Sequence, residues 1–420
     1  MLQQIEENKK TVFFKSLVSP IVQSRNFTFL WIGQILSLLG RSITMVILPV
    51  VVYSLTGSTV VMGLVMTLYT LPNVLVLPFS GLIVDRFNRV KLMMVTDIVR
   101  FFLMLIIMGF MFTDKLTVQI VYGFVAIYGL MDGLFQPAYS ALRAKIFVPA
   151  IRNAANSLTQ ISNQGIRLIG PALGGVIVSA VSAGVAFGLD AFTYLVSFIS
   201  LLFLKNVGSR TVPISKNQAP NFKKDFMEGI TVLKRHRWLW VTILAFSFIN
   251  LCYGGVVAVL VPWLLNVNFH FDPFVYGFAM AFSGGGAIIG ALIFSSRQQW
   301  RHRGLIAYGG VLLSGITLLV IPFLSWAPGI VLLMFFDGFG IMVFGLIWET
   351  TLQELVPEEA FGRVASLDML GSFGLLPIGY LVTGWLAEVV GGVLTMMMLA
   401  GAIVLTVVVV LSVRDIRHFD

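Results

Sequence analysis

Apolar residues along the chain are gathered into twelve long runs that short polar or turn-forming segments separate. Each run is far longer than the roughly 9–11 residues of a membrane-spanning β-strand, and none alternates strictly between apolar and polar positions. The pattern therefore predicts an all-α polytopic membrane protein with twelve transmembrane helices. We place them at residues 27–53, 59–83, 91–113, 117–142, 152–180, 183–204, 238–266, 273–295, 305–325, 328–352, 362–387 and 391–413.

The composition agrees with a membrane protein and excludes a soluble domain. Hydrophobic residues make up 58% of the 420 residues and charged residues 11%, whereas soluble domains contain about a quarter charged residues. The mean hydropathy is +0.93. The single cysteine, Cys252, excludes an intrachain disulfide and a thiolate metal cluster. The four histidines have no metalloprotease spacing, and we expect no bound metal.

The net charge of +9 follows the predicted topology. Of the 28 lysines and arginines, 24 lie in the two tails and the even-numbered loops, which share one side of the membrane. By the positive-inside rule, both termini are cytoplasmic. This distribution favours a topology signal over nucleic-acid binding, and we expect no nucleic-acid partner. Residues 1–26 lack the pattern of a removable signal peptide, so the first span is expected to be retained.

The longest loop, residues 205–237, divides the chain into two halves and contains FKKDFMEGITVLKRHRW, which predicts an amphipathic helix on the inner membrane surface. We predict a cytoplasmic tail at 1–26, a six-helix bundle at 27–204, this linker, a second six-helix bundle at 238–413 and a cytoplasmic tail at 414–420.

The two halves are related in sequence. VPAIRNAANSL, which follows span four, is similar to VPEEAFGRVASL, which follows span ten. Further along each half, GIRLIGPALGG is similar to GSFGLLPIGYLVTG. Acidic residues recur as well, Asp132 in span four and Asp337 in span ten. A duplicated six-helix unit is typical of secondary transporters, in which two bundles rock about a site near the midplane.

The loop between spans two and three reads GLIVDRFNRVK. Gly81 allows two helices to approach closely, and Asp85 is suited to cap a helix or pair with a base. Arg86 and Arg89 are able to reach an acidic partner, for which Asp132 is our first candidate. Such a cluster could latch the cytoplasmic side shut. Residues that only set the topology would give the same pattern.

The pattern GxxxDRxxR in this loop of a twelve-span chain is similar to the signature of the major facilitator superfamily. Asn88 stands where the usual pattern has Gly, and Val90 separates Arg89 from Lys91, but the core Asp85-Arg86-x-x-Arg89 is kept. The resemblance implies the major facilitator fold, two pseudo-symmetric six-helix bundles that work by alternating access.

Span five contains RLIGPALGG, with Arg167, Gly170, Pro171, Gly174 and Gly175. It is similar to the GPxxGG element of the exporting, drug–proton antiporter branches of the superfamily. The glycines make a flat face and the proline removes one backbone hydrogen bond, which gives a close-packed but bendable interface. Simple helix packing explains the motif as well as a dedicated role in export does.

The segment FTFLWIGQILSLLGRSITMVILPVVVYSLTGS, together with DRFNRVK and the basic stretch before span seven, resembles the bacterial macrolide-efflux and enterobactin-exporter branch. This resemblance implies a monomeric bacterial inner-membrane protein whose partners are the lipid bilayer, a small amphipathic substrate and protons. It implies no cofactor, because the proton gradient supplies the energy.

Charged groups inside spans are functional candidates, because placing one in lipid costs roughly 2.5–3.5 kcal/mol on insertion scales. Arg41 and Arg167 lie near the middle of spans one and five, Asp190 in span six and Asp337 in span ten. We predict that Asp190 or Asp337 binds the proton and that Arg41 or Arg167 is its counter-charge. A purely architectural Arg–Asp pair is the alternative. Further charges are expected nearer the cytoplasmic ends, among them Asp97, Arg100 and Asp132.

The resemblance therefore implies proton-coupled efflux of amphipathic drug-like molecules of the macrolide or multidrug type. The alternatives are export of an endogenous metabolite such as a siderophore or peptide antibiotic, or movement of a lysolipid. A membrane-embedded enzyme would need a convergent nucleophile and base or metal ligands in the spans, and no such motif is present. A scaffold gives no reason for the two-fold repeat. No GxxxxGK[ST] motif is present, so we do not expect ATP-driven pumping by this chain alone.

Overall fold

The computed structural model describes residues 18–204, 237–295, 302–356 and 358–417, with a few isolated positions between 227 and 233. These residues are almost entirely helical, which confirms the predicted all-α polytopic class. The helices are α1 (Arg25–Thr56), α2 (Thr59–Arg86), α3 (Arg89–Phe112), α4 (Val118–Ile146), α5 (Arg152–Ala180), α6 (Ala183–Leu202), α7 (Arg237–Asn268), α8 (Pro273–Ser295), α9 (Arg303–Val320), α10 (Ala327–Leu355), α11 (Glu358–Gly374), α12 (Leu376–Val390), α13 (Gly392–Ser412) and α14 (Arg414–Arg417).

Each predicted span corresponds to one helix, except that α11 and α12 together make up the eleventh. Predicted and observed ends differ by at most five residues, because turn-forming residues stop the helices. Gly57 (φ +63°) separates α1 from α2, and Gly391 (φ +91°) precedes α13. Asn88 caps α3, since its side chain accepts hydrogen bonds from the amides of Val90 and Lys91. The predicted amphipathic helix within 205–237 lies almost wholly outside the described residues.

Helix α5 differs from the others in polarity. Within the described residues, eleven helices are long and apolar enough to cross a membrane, and α5 is not among them although it has 29 residues. Its first half is rich in amide and hydroxyl side chains, which lower its hydropathy. The prediction of a twelfth span here therefore rests on helix length and on the position of α5 between two apolar helices.

Proline residues lie where the helices become irregular. Helix α7 has π-type turns at Val256–Leu260 and Leu264–Asn268, on either side of Pro262. A 3₁₀ turn with Pro322 extends α9 at Ile321–Phe323, and the break between α11 and α12 falls just before Pro377. Proline lacks the amide hydrogen that a regular helix needs, so these irregular turns have an identifiable cause.

The chain divides into two compact units, Met1–Ile47 with Pro72–Pro213, and Leu48–Leu71 with Ile214–Asp420. The predicted division into bundles places residues 48–71 with the N-terminal half, whereas the structure groups them with the C-terminal half. Close backbone packing is the reason. A Cβ on Gly63 would lie 2.3 Å from the carbonyl oxygen of Tyr380 and 3.3 Å from Cα of Gly384. Thr67 Oγ1 also donates to the carbonyl of Pro377 at 2.9 Å.

Each unit has its own packing. The first contains an aromatic and aliphatic cluster that includes Phe27, Phe135 and Phe147. In the second, Gly310 of α9 and Gly340 of α10 let the two backbones touch, since a Cβ on either would lie within 2.4 Å of the other's carbonyl oxygen. Without water between helices, such close backbone contact is a main source of association in membranes.

Candidate functional site

Two arginines and two aspartates form a connected group inside the first unit. Asp132, at the midpoint of α4, pairs with Arg41 Nε of α1 at 3.3 Å and with Arg100 Nη1 of α3 at 3.0 Å. Asp97, one turn before Arg100, accepts from its Nη2 at 2.8 Å and from Ser197 Oγ of α6 at 2.7 Å. The two positive and two negative charges balance, which is how buried charges are tolerated.

Aromatic rings enclose the centre of this group. The Arg100 guanidinium lies 4.5 Å from the ring centroids of both Phe135 and Tyr194, and only 2% of the residue is exposed. The Tyr194 hydroxyl forms a 2.7 Å hydrogen bond with that of Tyr128. Cation–π contacts and ion pairs thus hold Arg100 on every side, and the group joins α1, α3, α4 and α6 as a structural element.

Asp190 of α6 is fully buried and has hydroxyl partners. Thr44 Oγ1 of α1 donates to its Oδ2 at 2.5 Å, and Thr193 Oγ1 lies 3.2 Å from Oδ1. Gly40 leaves room for the carboxylate, since a Cβ there would lie 2.2 Å from Oδ1. Within the described ranges Asp190 forms no ion pair.

Asp337 of α10 is the corresponding buried acid of the second unit. It accepts hydrogen bonds from Tyr253 Oη of α7 at 3.0 Å and from Ser314 Oγ of α9 at 2.5 Å, and Ser283 of α8 is a further hydroxyl partner. It is fully buried, and no described lysine or arginine pairs with it. Asp337 is thus held by neutral groups, like Asp190.

The structure corrects two expectations about the charges in the spans. Asp132 was expected near a cytoplasmic helix end, but it lies at the midpoint of α4, at the level of its partner Arg41 in the middle of α1. Arg41 or Arg167 was predicted as the counter-charge of Asp190 or Asp337. Arg41 pairs with Asp132 instead, and Arg167 forms no ion pair among the described residues. The predicted span, 117–142, also has its midpoint within three residues of Asp132, so hydropathy itself gave no reason to place this acid near an end.

The predicted latch lies where α2 meets α3. Arg86 ends α2 and is exposed, and Arg89 begins α3 and is half-buried. The side chain of Asp85 and the surroundings of Gly81 are outside what the structure describes. The two ion pairs given above join Asp132 to Arg41 and Arg100, and the latch stays a prediction.

The glycines of the predicted export motif pack α5 against α1. A Cβ on Gly170 would lie 2.5 Å from Ser42 Oγ, and one on Gly174 would lie 3.2 Å from Cα of Ile43. Pro171 and Gly175 are buried as well. A packing role for these residues is therefore observed, while a role in export direction stays a prediction.

Sequence reasoning missed the hydroxyl partners Thr44, Ser197, Tyr253 and Ser314. One signal was present, since Thr44 follows Arg41 by three residues and so lies on the same helix face. The other three have no sequence signal, because neutral hydroxyl groups are common in apolar helices. In the portion of the chain described, no group of three or more His, Cys, Asp or Glu is placed to hold a metal ion.

The known proteins to which this chain is similar are membrane transporters of one superfamily. A family model described as Major Facilitator Superfamily matches residues 30–375. The uncharacterized MFS-type transporter YfiS of Bacillus subtilis is 28% identical over 86% of this chain and 86% of its own. Macrolide efflux protein A of Streptococcus pyogenes is 22% identical over 94% of this chain and 97% of its own. The multidrug efflux pump Tap of Mycolicibacterium fortuitum is 23% identical over 91% and 94%.

Solved structures share the fold. A bacterial homologue of the iron transporter ferroportin, crystallised in an inward-facing state, superposes with a TM-score of 0.72 over 92% of this chain and 98% of that chain, at 17% identity. A POT family transporter in complex with 5-aminolevulinic acid superposes with a TM-score of 0.71 over 93% and 96%, at 13% identity. At these identities the likeness concerns the fold alone.

Proposed function

Because the chain belongs to the Major Facilitator Superfamily and is a membrane transporter, we propose that it is a proton-coupled exporter of amphipathic, drug-like molecules of the macrolide or multidrug type. The names of the efflux relatives support the direction and the substrate class. The proposal includes alternating access by a monomer of the bacterial inner membrane, with both termini in the cytoplasm. The observation that carries proton coupling is the chemistry around Asp190 and Asp337.

Hydroxyl partners suit an acid that binds and releases a proton. A hydroxyl group donates to a carboxylate, and after rotation it accepts from a carboxylic acid, so hydrogen bonding persists in both states. Thr44 serves Asp190 in this way, and Tyr253 and Ser314 serve Asp337. An arginine only donates, so an acid such as Asp132 loses its ion pairs when it binds a proton. We therefore assign the proton to Asp190 or Asp337.

The test is substrate-stimulated proton movement in liposomes that contain the purified protein. The panel comprises macrolides, cationic dyes, siderophores and lysolipids, and the variants are Asp190→Asn and Asp337→Asn. We expect macrolides or dyes to move protons and at least one variant to lose this movement. Asp114→Asn is the matched control, because Asp114 is exposed with φ of +53°, a conformation that asparagine also tolerates.

Each other outcome identifies the faulty part of the proposal. Proton movement with siderophores or lysolipids alone would replace the drug substrate by the endogenous alternative. Substrate flux down its own gradient without proton movement would overturn the coupling. Full activity of both asparagine variants would overturn the assignment of the acids.

A further inference from the structure

Arg167 in α5 has no partner of opposite charge among the residues that the structure describes. It lies in the middle of the helix and is exposed, and among the described residues it takes part in no ion pair or hydrogen bond. Arg41 and Arg100, the other arginines within spans, both pair with a carboxylate. An arginine at this depth is costly against lipid and almost always faces a polar or water-filled space. We therefore expect the Arg167 guanidinium to face a polar space in which an anionic group is able to pair with it.

Polar side chains continue along the face of α5 that carries Arg167. Gln160, Asn163 and Gln164 precede it by seven, four and three residues, spacings that place all four on one side of a helix. Gln160 is exposed, and Asn163 and Gln164 are half-buried. This polar face is why α5 is less apolar than the eleven candidate spans. Inside a membrane protein, such a face is suited to line a route for polar groups.

Three buried amide oxygens of this region lack a hydrogen-bond partner among the described residues. They are Asn163 Oδ1 and Gln164 Oε1 of α5 and Gln34 Oε1 of α1. Gln34 is only 5% exposed. Buried polar atoms are normally hydrogen-bonded, so an unpartnered group indicates a place for water or a ligand. Each amide is able to accept through oxygen or donate through nitrogen.

The packing of α1 against α5 places these groups at one level. Gly170 packs against Ser42, and Gly174 packs against Ile43. The later glycine of α5 thus contacts the later residue of α1, so the two helices run in the same direction. Counting back about two turns on each helix from the contact of Ser42 with Gly170 places Gln34 of α1 near the level of Asn163 of α5. Arg167 is one turn before Gly170. A cation and three unsatisfied amides thus lie within about two turns of one helix pair.

We propose that Arg167 binds a carboxylate, or an equivalent anionic oxygen group, of the transported molecule, with Gln34, Asn163 and Gln164 as hydrogen-bond partners. The guanidinium supplies charge and paired donors that match a carboxylate. This inference rests on the proposed function for the identity of the ligand as a transported solute. Within the amphipathic class, it adds molecules that carry a negative group, whereas macrolides and cationic dyes, which lack one, would be bound without this contact.

The test measures binding of two fluorescent probes that differ in one charge, N-dansyl-phenylalanine and its methyl ester. Binding to the purified protein in detergent needs neither transport nor a proton gradient, so failure of coupling leaves this test intact. We expect the wild type to bind the acid at least about tenfold more tightly than the ester, equivalent to about 1.4 kcal/mol. Arg167→Gln should abolish this preference, and Arg167→Lys should keep most of it.

Lys115→Gln is the matched control, because it removes one positive charge from an exposed loop position and should leave the preference unchanged. A wild type without preference for the acid overturns the proposal, and this result requires no variant to fold. An equal loss of acid and ester binding in Arg167→Gln also overturns it, since a structural role would act on both. Loss of the acid preference on adding phosphatidylglycerol would assign Arg167 to a lipid headgroup and overturn the solute assignment.

Discussion

Asp132 in the first unit and Asp337 in the second occupy corresponding places in the two halves of the sequence, in spans four and ten, but they have different partners. Asp132 pairs with two arginines. Asp337 accepts hydrogen bonds from hydroxyl groups, among them Tyr253 and Ser314. Both acids are almost fully buried, with 1% and 0% exposure.

The two halves thus share an acid at this position but not the side chains that contact it. The partners come from other helices, and these have diverged between the halves. Asp132 forms ion pairs with two arginines and so holds α1, α3 and α4 together. Neutral partners leave Asp337 able to change its protonation while its hydrogen bonds persist. One half therefore carries a structural acid at this position, and the other carries a candidate for coupling.

The largest expected effect is on folding. Asp132→Asn should lower the free energy of unfolding by about 3–5 kcal/mol, because the buried Arg100 loses one of its carboxylates and the group keeps an excess positive charge. Asp337→Asn should cost about 1 kcal/mol, since an amide also hydrogen-bonds to hydroxyl groups. The measurement is unfolding of the purified protein by SDS titration in dodecyl maltoside micelles. Equal losses in the two variants would show that the arginine partners do not distinguish the acids.

A second variant restores the charge balance. Arg41→Gln combined with Asp132→Asn leaves the Arg100–Asp97 pair with equal charges, so it should regain about 1–3 kcal/mol relative to Asp132→Asn alone. The same SDS titration measures this recovery. The control is Arg41→Gln combined with Asp337→Asn. This double variant removes Arg41 but leaves its partner Asp132 in place, so it should be no more stable than Asp337→Asn alone. A double variant no more stable than Asp132→Asn would mean that charge balance does not stabilise the group.

The smallest expected effect concerns one hydroxyl group. Tyr253→Phe should cost about 1 kcal/mol of unfolding free energy, because Asp337 loses one donor while the ring still fills its place. The same substitution in the Asp337→Asn background should cost less, since the hydrogen bond to a carboxylate is the stronger one. A cost that is unchanged by the Asp337→Asn background would attribute the loss to packing of Tyr253 and not to its hydrogen bond.

Much of the fold followed from the chain alone. Eleven of the spans were predicted within a few residues because a helix in lipid must satisfy its own backbone and must be apolar over its length. The span at α5 was predicted from its length and its position between two apolar helices. Turn residues such as Gly57 and Gly391 then marked the ends. Asp190 and Asp337 were also predicted as candidates, since an acid within an apolar run is visible in the sequence.

The site was predictable only in part, because its contacts join distant residues. Arg41 was assigned to the wrong acid, since nothing along the chain shows that α1 meets α4 at Asp132. Residues 48–71 were placed in the N-terminal bundle because they are adjacent to it in sequence, whereas packing of Gly63 against Tyr380 groups them with the second unit. The distinctive polarity of α5 was present in the sequence, but the unpartnered state of Arg167 was not.

The sequence by itself determined which segments are helices and which charges lie within them, because hydropathy and backbone hydrogen bonding act over a few neighbouring residues. Tertiary structure alone decided which charge meets which partner. Hydrogen bonds and ion pairs depend on approach to about 3 Å, and that distance between residues far apart in the chain is set by how the helices pack.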